Sequence, residues 1–549
     1  MLQRNQSVNF NRRVLTGFGY FFVIASAILF VSVTLPQAMP SHDGTLDATF
    51  GAAGKVRTDF SGHSESLNAL AIQADGKIIT VGYTNDPSGP IILVRYNRDG
   101  SIDASFGSGG KVISKASQFE GASTIALLPD GKILVGGGAR GVGQDFAVAR
   151  FNGDGSLDTA FGNGGAVVTD VGGADFADIM KVQPDGKILV AGLAGGRPKL
   201  QSSSFAALRY KSQGGLDKSF GNNGKARVEF SDGFDEAYTM ALQPDGKIVL
   251  AGGTDFNSHA SPWGLARFNS DGRLDASFGN GGKVTTSFSV FQCEAHALAI
   301  QPDGKIIAAG MTRLDEDLPK VMAIARYNGD GSLDMTFGVA GKITYDFAGH
   351  GGVAQTLALQ RDGKILVAGA VGNLNASRPQ VDFALVRYNQ DGSFDSSFGD
   401  GGVVTTDLGD VIDTANAVAL QPDGKIVLGG YSGNDEGRGD FVLARYNNDS
   451  LAFDSCIQDD SNGNLLQFNS VTGDYKFTAC ATGLTLSGKA VIKVKGCKTK
   501  IQAAPADHSL AVTIKTCKGN ASATIEVPAT MQTYTITDSH TADNDCACH

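Results

Sequence analysis

The sequence predicts an all-β protein: a seven-bladed β-propeller closed by an N-terminal strand, followed by a small disulfide-linked β domain. Three observations lead there. One phrase, written at residues 418–448 as "VALQPDGKIVLGGYSGNDEGRGDFVLARYNN", occurs seven times in variant form. Each copy offers four short strand candidates separated by turn signals. The array also begins and ends out of phase.

Aligned on the D-G-K turn, Lys77, Lys132, Lys187, Lys247, Lys305, Lys364 and Lys425 fall in register with a period of 55–61 residues. Repetition of that size decides the fold before any local propensity does. The four strands are those of "NAVALQPDG", "KIVLGGY", "FVLARYN" and, after a D-G-S-L-D-x-x-F-G-x-x-G-K connector, "GKVTTSF" or its equivalent. Four strands per unit make a propeller blade. The first strand alternates aliphatic residues (Leu70/Ile72, Met240/Leu242, Leu357/Leu359) with small ones (Ala69/Ala71, Thr239/Ala241, Thr356/Ala358), as expected of a sheet packed on both faces.

The phase carries the topology. The array opens with a connector and a lone fourth strand, "DGTLDATFGAAGKVRTDF", and ends after a third strand, "DFVLARYN". Fourth strands are expected to begin near Lys55, Lys111, Ala166, Lys225, Lys283, Lys342 and Val403. The N-terminal strand therefore completes the last blade and removes the exposed sheet edges.

These residues carry a resemblance. A-L-x-x-D-G-K-I-x-V-x-G followed by R-[YF]-N-x-D-G-S-[LI]-D-x-[ST]-F-G-x-x-G-K-[VI] resembles the delta-60 repeat of exported bacterial proteins, over residues 43 to 449. The resemblance implies a propeller and no common activity. The blade core is also similar, more loosely, to NHL-type repeats and gluconolactonase-like propellers.

Residues 1–42 read as a signal peptide or N-terminal membrane anchor. Arg4, Arg12 and Arg13 precede "VLTGFGYFFVIASAILFVSVTLP", an apolar run of roughly 22 residues, long enough for a bilayer-spanning helix and lacking a clean small-residue cleavage site. The arginines favour a cytoplasmic start and an exported body, whether periplasmic, surface-bound or secreted. A membrane contact is expected only through this segment, if it is uncleaved. A formal charge of -10 excludes a nucleic-acid binder, which needs a concentrated basic face.

Residues 450–549 form the second domain. No arginine follows Arg445, while Cys456, Cys480, Cys497, Cys517, Cys546 and Cys548 appear. A module of this size in an oxidising compartment is expected to be cross-linked, and three bridges among six cysteines allow about 15 connectivities. "LLQFNSVTGDYKF" reads as a hairpin turning at Gly473, and "AVIKVKG", "LAVTIKT" and "SATIEV" read as strands. The stretch resembles a cysteine-bearing terminal module of other exported bacterial proteins. The closing "CACH", with His540 and Asp543, offers zinc-type ligands, but no second C-x-x-C pair completes a recognised spacing.

A residue that recurs in every blade serves the blade. Arg95, Arg150, Arg209, Arg267, Arg326, Arg387 and Arg445 recur with Asp47, Asp103, Asp158, Asp217, Asp275, Asp334 and Asp395, the makings of a structural arginine–carboxylate pair. Phe50, Phe106, Phe161, Phe220, Phe278, Phe337 and Phe398 read as core plugs. The "NRDGSID" turn at Asn97–Asp103 offers oxygen ligands for calcium or another divalent ion, the one cofactor class the sequence suggests. Its spacing is not that of an EF-hand and lacks the bidentate Glu, so an Asx-type turn is the better account.

Function is expected where blades differ. Nine residues before each turn lysine stand Asn68, Ser123, Asp178, Tyr238, His296, Gln355 and Asn416, expected to ring one mouth of the central channel. Asp178, Tyr238 and His296, with Glu236 and Glu294 nearby, bring carboxylate, phenol and imidazole together, groups suited to metal binding or acid–base work. Gluconolactonase-like propellers place metal-binding carboxylates and Asn at such a mouth; here Asp178 is the only carboxylate of the ring. The loops between second and third strands vary in every blade, and Trp263 in "TDFNSHASPW" is expected either to stack on a sugar or to serve as a partly buried loop anchor. Cys293 reads as a buried free thiol. No phosphate loop, H-E-x-x-H or G-x-S-x-G motif is present. The leading expectation is a non-catalytic exported binding or surface-interaction protein whose partner is an envelope or extracellular macromolecule or glycan. The alternative is a channel-mouth metal-dependent hydrolase or lyase acting on a sugar or lactone.

Overall fold

A computed structural model describes residues 43–448, except 61–63, 85–90, 117–118, 142, 196–201, 257, 259, 373–379 and 435–437, together with the backbone of eight strands between 455 and 538. The expected anchor at 1–42 and parts of the variable loops lie outside the described residues. Among the described residues no helix is long and apolar enough to cross a membrane.

Seven four-stranded antiparallel sheets follow one another. Blade I uses Glu65–Ile72, Ile78–Thr84, Ile91–Tyr96 and Lys111–Ser114, innermost to outermost. Blades II to VI repeat that order, with inner strands Phe119–Leu127, Phe176–Val182, Glu236–Leu242, Cys293–Ile300 and Gly352–Leu359. Blade VII takes Ile412–Leu420, Ile426–Gly433 and Gly439–Tyr446 from the end of the array and its outermost strand, Lys55–Thr58, from the start. That strand pairs antiparallel in the register Lys55↔Ala444 to Thr58↔Phe441. Each inner strand packs beside the next, and blade VII packs beside blade I. The ring is closed as the phase predicts.

The core lies between consecutive blades. Second and third strands are buried on both faces, as in Ile188–Ala194 and Ser204–Tyr210, so their runs of Val, Leu, Ile and Ala face a neighbouring sheet on each side. At the closing seam Phe50, Phe60, Phe441 and Leu443 join Ile78, Ile92 and Val94 in one cluster. The seven connector phenylalanines are fully buried. Gly100 (φ 85) is required where the connector turn crosses the Phe50 ring, because a Cβ there would press on that ring.

The recurring arginine joins one blade to the next. Each guanidinium contacts its connector carboxylate at 2.6–2.9 Å, and the turn lysine approaches the same carboxylate at 2.7–3.4 Å. The guanidinium lies 4.3–4.7 Å from the centroid of the connector phenylalanine. It also donates into the next blade, as from Arg95 to Gly153 O, Arg150 to Ser212 O and Arg209 to Ser270 O. Arg445 closes the circle by donating to Arg98 O. The "NRDGSID" turn is held by its own side chains: Asp99 Oδ1 accepts from Ser101 N at 3.0 Å and Ser101 Oγ at 2.6 Å.

After the propeller, eight consecutive strands from Ser455–Gln458 to Gln532–Asp538 pair antiparallel in chain order. Leu465–Phe468 and Asp474–Ala479 form the expected hairpin. The side chains of the six terminal cysteines lie outside the described residues. Cys293 is a buried free thiol, 3.2 Å from Thr312 Oγ1.

Two outcomes test the clamp. Arg445→Met strands the buried Asp47 carboxylate at the seam and is expected to cost about 3–5 kcal/mol in chemical denaturation. Acid should act through the same pairs. Hydrogen bonding from the Ser219 hydroxyl, opposed by burial and reinforced by the Ser219 amide and Arg209, holds Asp217 at about 2 against 3.8. Its stabilisation is complete above 3.8 and is lost as pH falls through about 2. Asp217→Asn is expected to flatten the stability–pH curve in that window, as read from denaturation midpoints.

Candidate functional site

Every inner strand breaks register at the same position of the repeat, and blade II breaks it a second time between Phe119 and Gly121. The shifts fall between Leu67/Ala69, Ala122/Thr124, Ala177/Ile179, Ala237/Thr239, Ala295/Ala297, Ala354/Thr356 and Ala415/Ala417. The skipped residues are Asn68, Ser123, Asp178, Tyr238, His296, Gln355 and Asn416. Each variable polar residue is thus the extra residue of a β-bulge, a device that re-aims a side chain out of the strand's alternation. Opposite each bulge the second strand carries a glycine: Gly82, Gly137, Gly192, Gly252, Gly310, Gly369 and Gly430. A Cβ at any of them would overlap a backbone carbonyl oxygen of the bulged strand, such as Phe176 O at Gly192. The blade glycine is the steric counterpart of the bulge.

The bulge side chains reach round the ring. Asn68 Nδ2 donates to Ala122 O and Asn416 Nδ2 to Leu67 O, both at 2.8 Å. Ser123 Oγ donates to Ala177 O, and His296 Nδ1 lies 2.9 Å from Ala354 O. In each case the acceptor is the carbonyl just before the next blade's bulge. A donor at this position therefore ties two blades together.

Asp178 departs from that rule. The acceptor equivalent to the others is the carbonyl of Ala237, and an ionised carboxylate has no proton to give it. Asp178 Oδ2 is shielded from solvent and has no hydrogen-bond partner. Burial first, then the Glu236 charge, pushes its carboxyl well above the ordinary carboxylate range. Tyr238 stands beside it, its hydroxyl raised by burial and by the charges of Glu236, Glu294 and Asp178. The Tyr238 ring meets the His296 ring edge-on, with centroids 5.3 Å apart.

His296 is held at both nitrogens. Because Ala354 O only accepts, Nδ1 carries a proton. Nε2 lies 2.9 Å from Glu294 Oε2, so the bond between them requires a further proton, on the imidazole or on the carboxyl. Burial raises the Glu294 carboxyl, but His296, Lys320 and Gln292 outweigh it and leave its pKa lowered.

Asn68, Asp178, Tyr238, Glu294, His296, Lys320, Gln355 and Asn416 line one cavity of about 500 Å³, within the range of small-ligand sites. Six of the seven expected ring residues are brought together there. Ser123 is in the bulge ring but does not line the cavity. Lys320, absent from the expected ring, ends the "MTRLDEDLPK" loop and supplies an ammonium. Trp263 requires a correction. It begins a third strand rather than lying on a loop surface; its indole is fully buried and donates to Tyr327 Oη at 2.7 Å. No sugar can reach it, and its aromatic area serves the core.

Residues 73–106, 128–161, 183–220, 243–278, 301–337, 360–398 and 421–450 match the family described as "Domain of unknown function (DUF5122) beta-propeller". The matched segments recur once per blade. No curated protein matches the chain. Solved structures similar to this chain include Kuenenia stuttgartiensis hydrazine synthase, 13% identical with a TM-score of 0.43 over 72% of this chain and 98% of that one. A Pseudomonas aeruginosa periplasmic gluconolactonase, PpgL, is 13% identical with a TM-score of 0.34 over 78% and 96%. These likenesses carry no functional argument.

The bulge account has a direct test. Gly192→Ala is expected to destabilise the propeller by about 1–3 kcal/mol through overpacking. Gly215→Ala, where a Cβ would meet nothing within 4 Å, should be nearly silent in the same thermal denaturation.

Proposed function

We propose that the propeller is a non-catalytic binding module whose channel mouth takes a hydroxyl-rich ligand, such as the end of a glycan on an envelope or extracellular partner. The observation that carries this reading is Asp178: a shielded carboxylate oxygen without a partner, at a position where other blades place a stabilising donor. A residue that weakens the fold at the rim of a polar cavity is where function is expected to reside. Asp178 and Glu294 offer acceptors to sugar hydroxyls, Lys320 and Gln355 offer donors, and Tyr238 offers an aromatic face.

Binding is favoured over a channel-mouth hydrolase or lyase by the state of His296. Both its nitrogens are engaged, so a role as base or metal ligand would first require breaking the bond to Glu294 or to Ala354 O. The arginine-led apolar segment and the delta-60 pattern of the repeat support an exported setting, periplasmic, surface-bound or secreted, with the terminal cysteines paired.

Asp178→Asn supplies the missing donor and is expected to raise the melting temperature while weakening ligand binding. The pH dependence gives the sign. A carboxyl whose pKa is raised on folding costs increasing stability as pH climbs above 3.8, its unfolded value, and the Asn variant should lose that decline. Ligand binding is read as thermal shifts with neutral and amino-sugar oligosaccharides; a shift retained in both Asp178→Asn and Tyr238→Phe would overturn the channel-mouth site. Cysteine pairing is tested separately. Of 7 cysteines, the unreduced, denatured protein isolated from its exported compartment should expose a single reactive thiol, Cys293.

A further inference from the structure

At the seam between blades VII and I, Asp59, Glu65 and Asp440 each bring a carboxylate oxygen to within 4.8 Å of the others. They come from three segments: the residue following the closing strand, the first residue of blade I's inner strand and the third strand of blade VII. Glu65 is 1% exposed, and neither of its oxygens has a hydrogen-bond partner. A carboxylate buried in that condition needs a counter-charge or a proton.

The same three positions are acidic at two other seams. Asp145, Asp170 and Asp175 meet between blades II and III, and Asp382, Asp407 and Asp413 between blades VI and VII. In each triad one member lies four residues after the start of an outer strand, one five before the clamp arginine and one three before the bulge residue. The buried members differ in what they already hold. Asp175 accepts the Val171 amide on Oδ2 and the Gly195 amide on Oδ1. Asp413 accepts the Leu408 amide on Oδ2, while its Oδ1 has no partner. Neither Glu65 oxygen makes a hydrogen bond of full geometry; the Phe60 amide and the Thr84 hydroxyl are its weak polar neighbours, and burial with the charges of Asp440 and Asp59 pushes its carboxyl up to about 7. The seam that joins the two ends of the array is the one whose buried carboxylate has no full hydrogen bond on either oxygen.

We propose that Asp59, Glu65 and Asp440 bind one hard divalent cation of the calcium class, which staples the N-terminal strand and blade VII to blade I. The donors are carboxylate oxygens with no thiol or imidazole among them, a set that suits calcium over zinc or copper. Ligand oxygens up to 4.8 Å apart fit two bonds of roughly 2.3–2.6 Å across one ion. Two cations stand nearby among the described residues: Arg57 is 2.9 Å from Asp440 Oδ2 and 2.6 Å from Asp410 Oδ2, and Lys111 Nζ donates to the Asp59 carbonyl at 2.9 Å. One guanidinium shared between two carboxylates leaves the triad negative.

The test takes the full chain, stripped of metal with EDTA, and measures calcium stoichiometry by equilibrium dialysis alongside thermal denaturation with and without calcium chloride. The wild type is expected to bind one calcium more than Glu65→Gln and to gain more in melting temperature from the ion. Equal stoichiometry in the two proteins, or no calcium bound by the wild type, overturns the proposal. Should Gln at position 65 prevent folding, Asp59→Asn at the exposed edge of the triad gives the same comparison.

Discussion

The buried arginine at the end of each third strand is the interaction on which the rest of the propeller depends. A blade alone has two apolar faces and nothing that fixes its angle to the next sheet. The arginine supplies that angle. Its carboxylate and lysine hold the connector over the strand end, its planar face covers the connector phenylalanine, and a remaining N–H reaches the backbone of the following blade. An uncompensated charge at that depth is costly, so the group is stable only when all its contacts are made together. Each repeat is thereby completed by its neighbour, and the seventh by the first.

That dependence explains why the fold was legible in the sequence. The clamp needs Arg, Asp, Phe and Lys at fixed offsets in every unit, so its members recur and the repeat can be counted. The phase of the array then gave the closure, because a lone fourth strand before Glu65 and a missing one after Tyr446 have one economical solution. The polar ring was legible as a set, since its members occupy one offset from the turn lysine. Its geometry was not. Period-2 reading assumes one residue per step, and a bulge inserts an extra one, so Asn68 or His296 cannot be aimed by counting alternation. The glycine opposite each bulge was the available signal; its φ is not left-handed there, and only the proximity of a carbonyl in the folded sheet explains it. Trp263 misled for a related reason. The loop before it ends one residue sooner than its polar composition suggests, which places the indole in the strand and in the core.

The same ring separates structural from functional residues without recourse to any other protein. Asn68, Ser123 and Asn416 donate to the next blade and are explained by that bond alone. His296 does so with one nitrogen and faces Glu294 with the other. Asp178, Tyr238 and Gln355 are not accounted for by this scheme, and the first two stand in adjacent blades. Polarity at a channel mouth is by itself uninformative, because water is there. A carboxylate that forgoes an available stabilising bond is informative, because Asn would fit the same space and make it.

The closing seam carries an additional burden. Neighbouring blades are joined by chain close in sequence, whereas Arg445 must find Asp47 across 398 residues, and closing so long a loop costs more entropy than joining adjacent blades. Polar contacts accumulate there accordingly. Arg387 meets Asp43 at 2.7 Å, Lys425 meets Asp47 at 3.0 Å, and Arg57 bridges Asp410 and Asp440. Between blades II and III the equivalent buried carboxylate is satisfied by backbone amides of its own seam. At the join between the ends of the array Glu65 makes no full hydrogen bond, so the point of greatest loop-closure cost is also the point where a buried carboxylate lacks the amides that satisfy its counterpart. A ligand that binds only the closed ring stabilises it by mass action, and the proposed cation would act on closure of this propeller in that way.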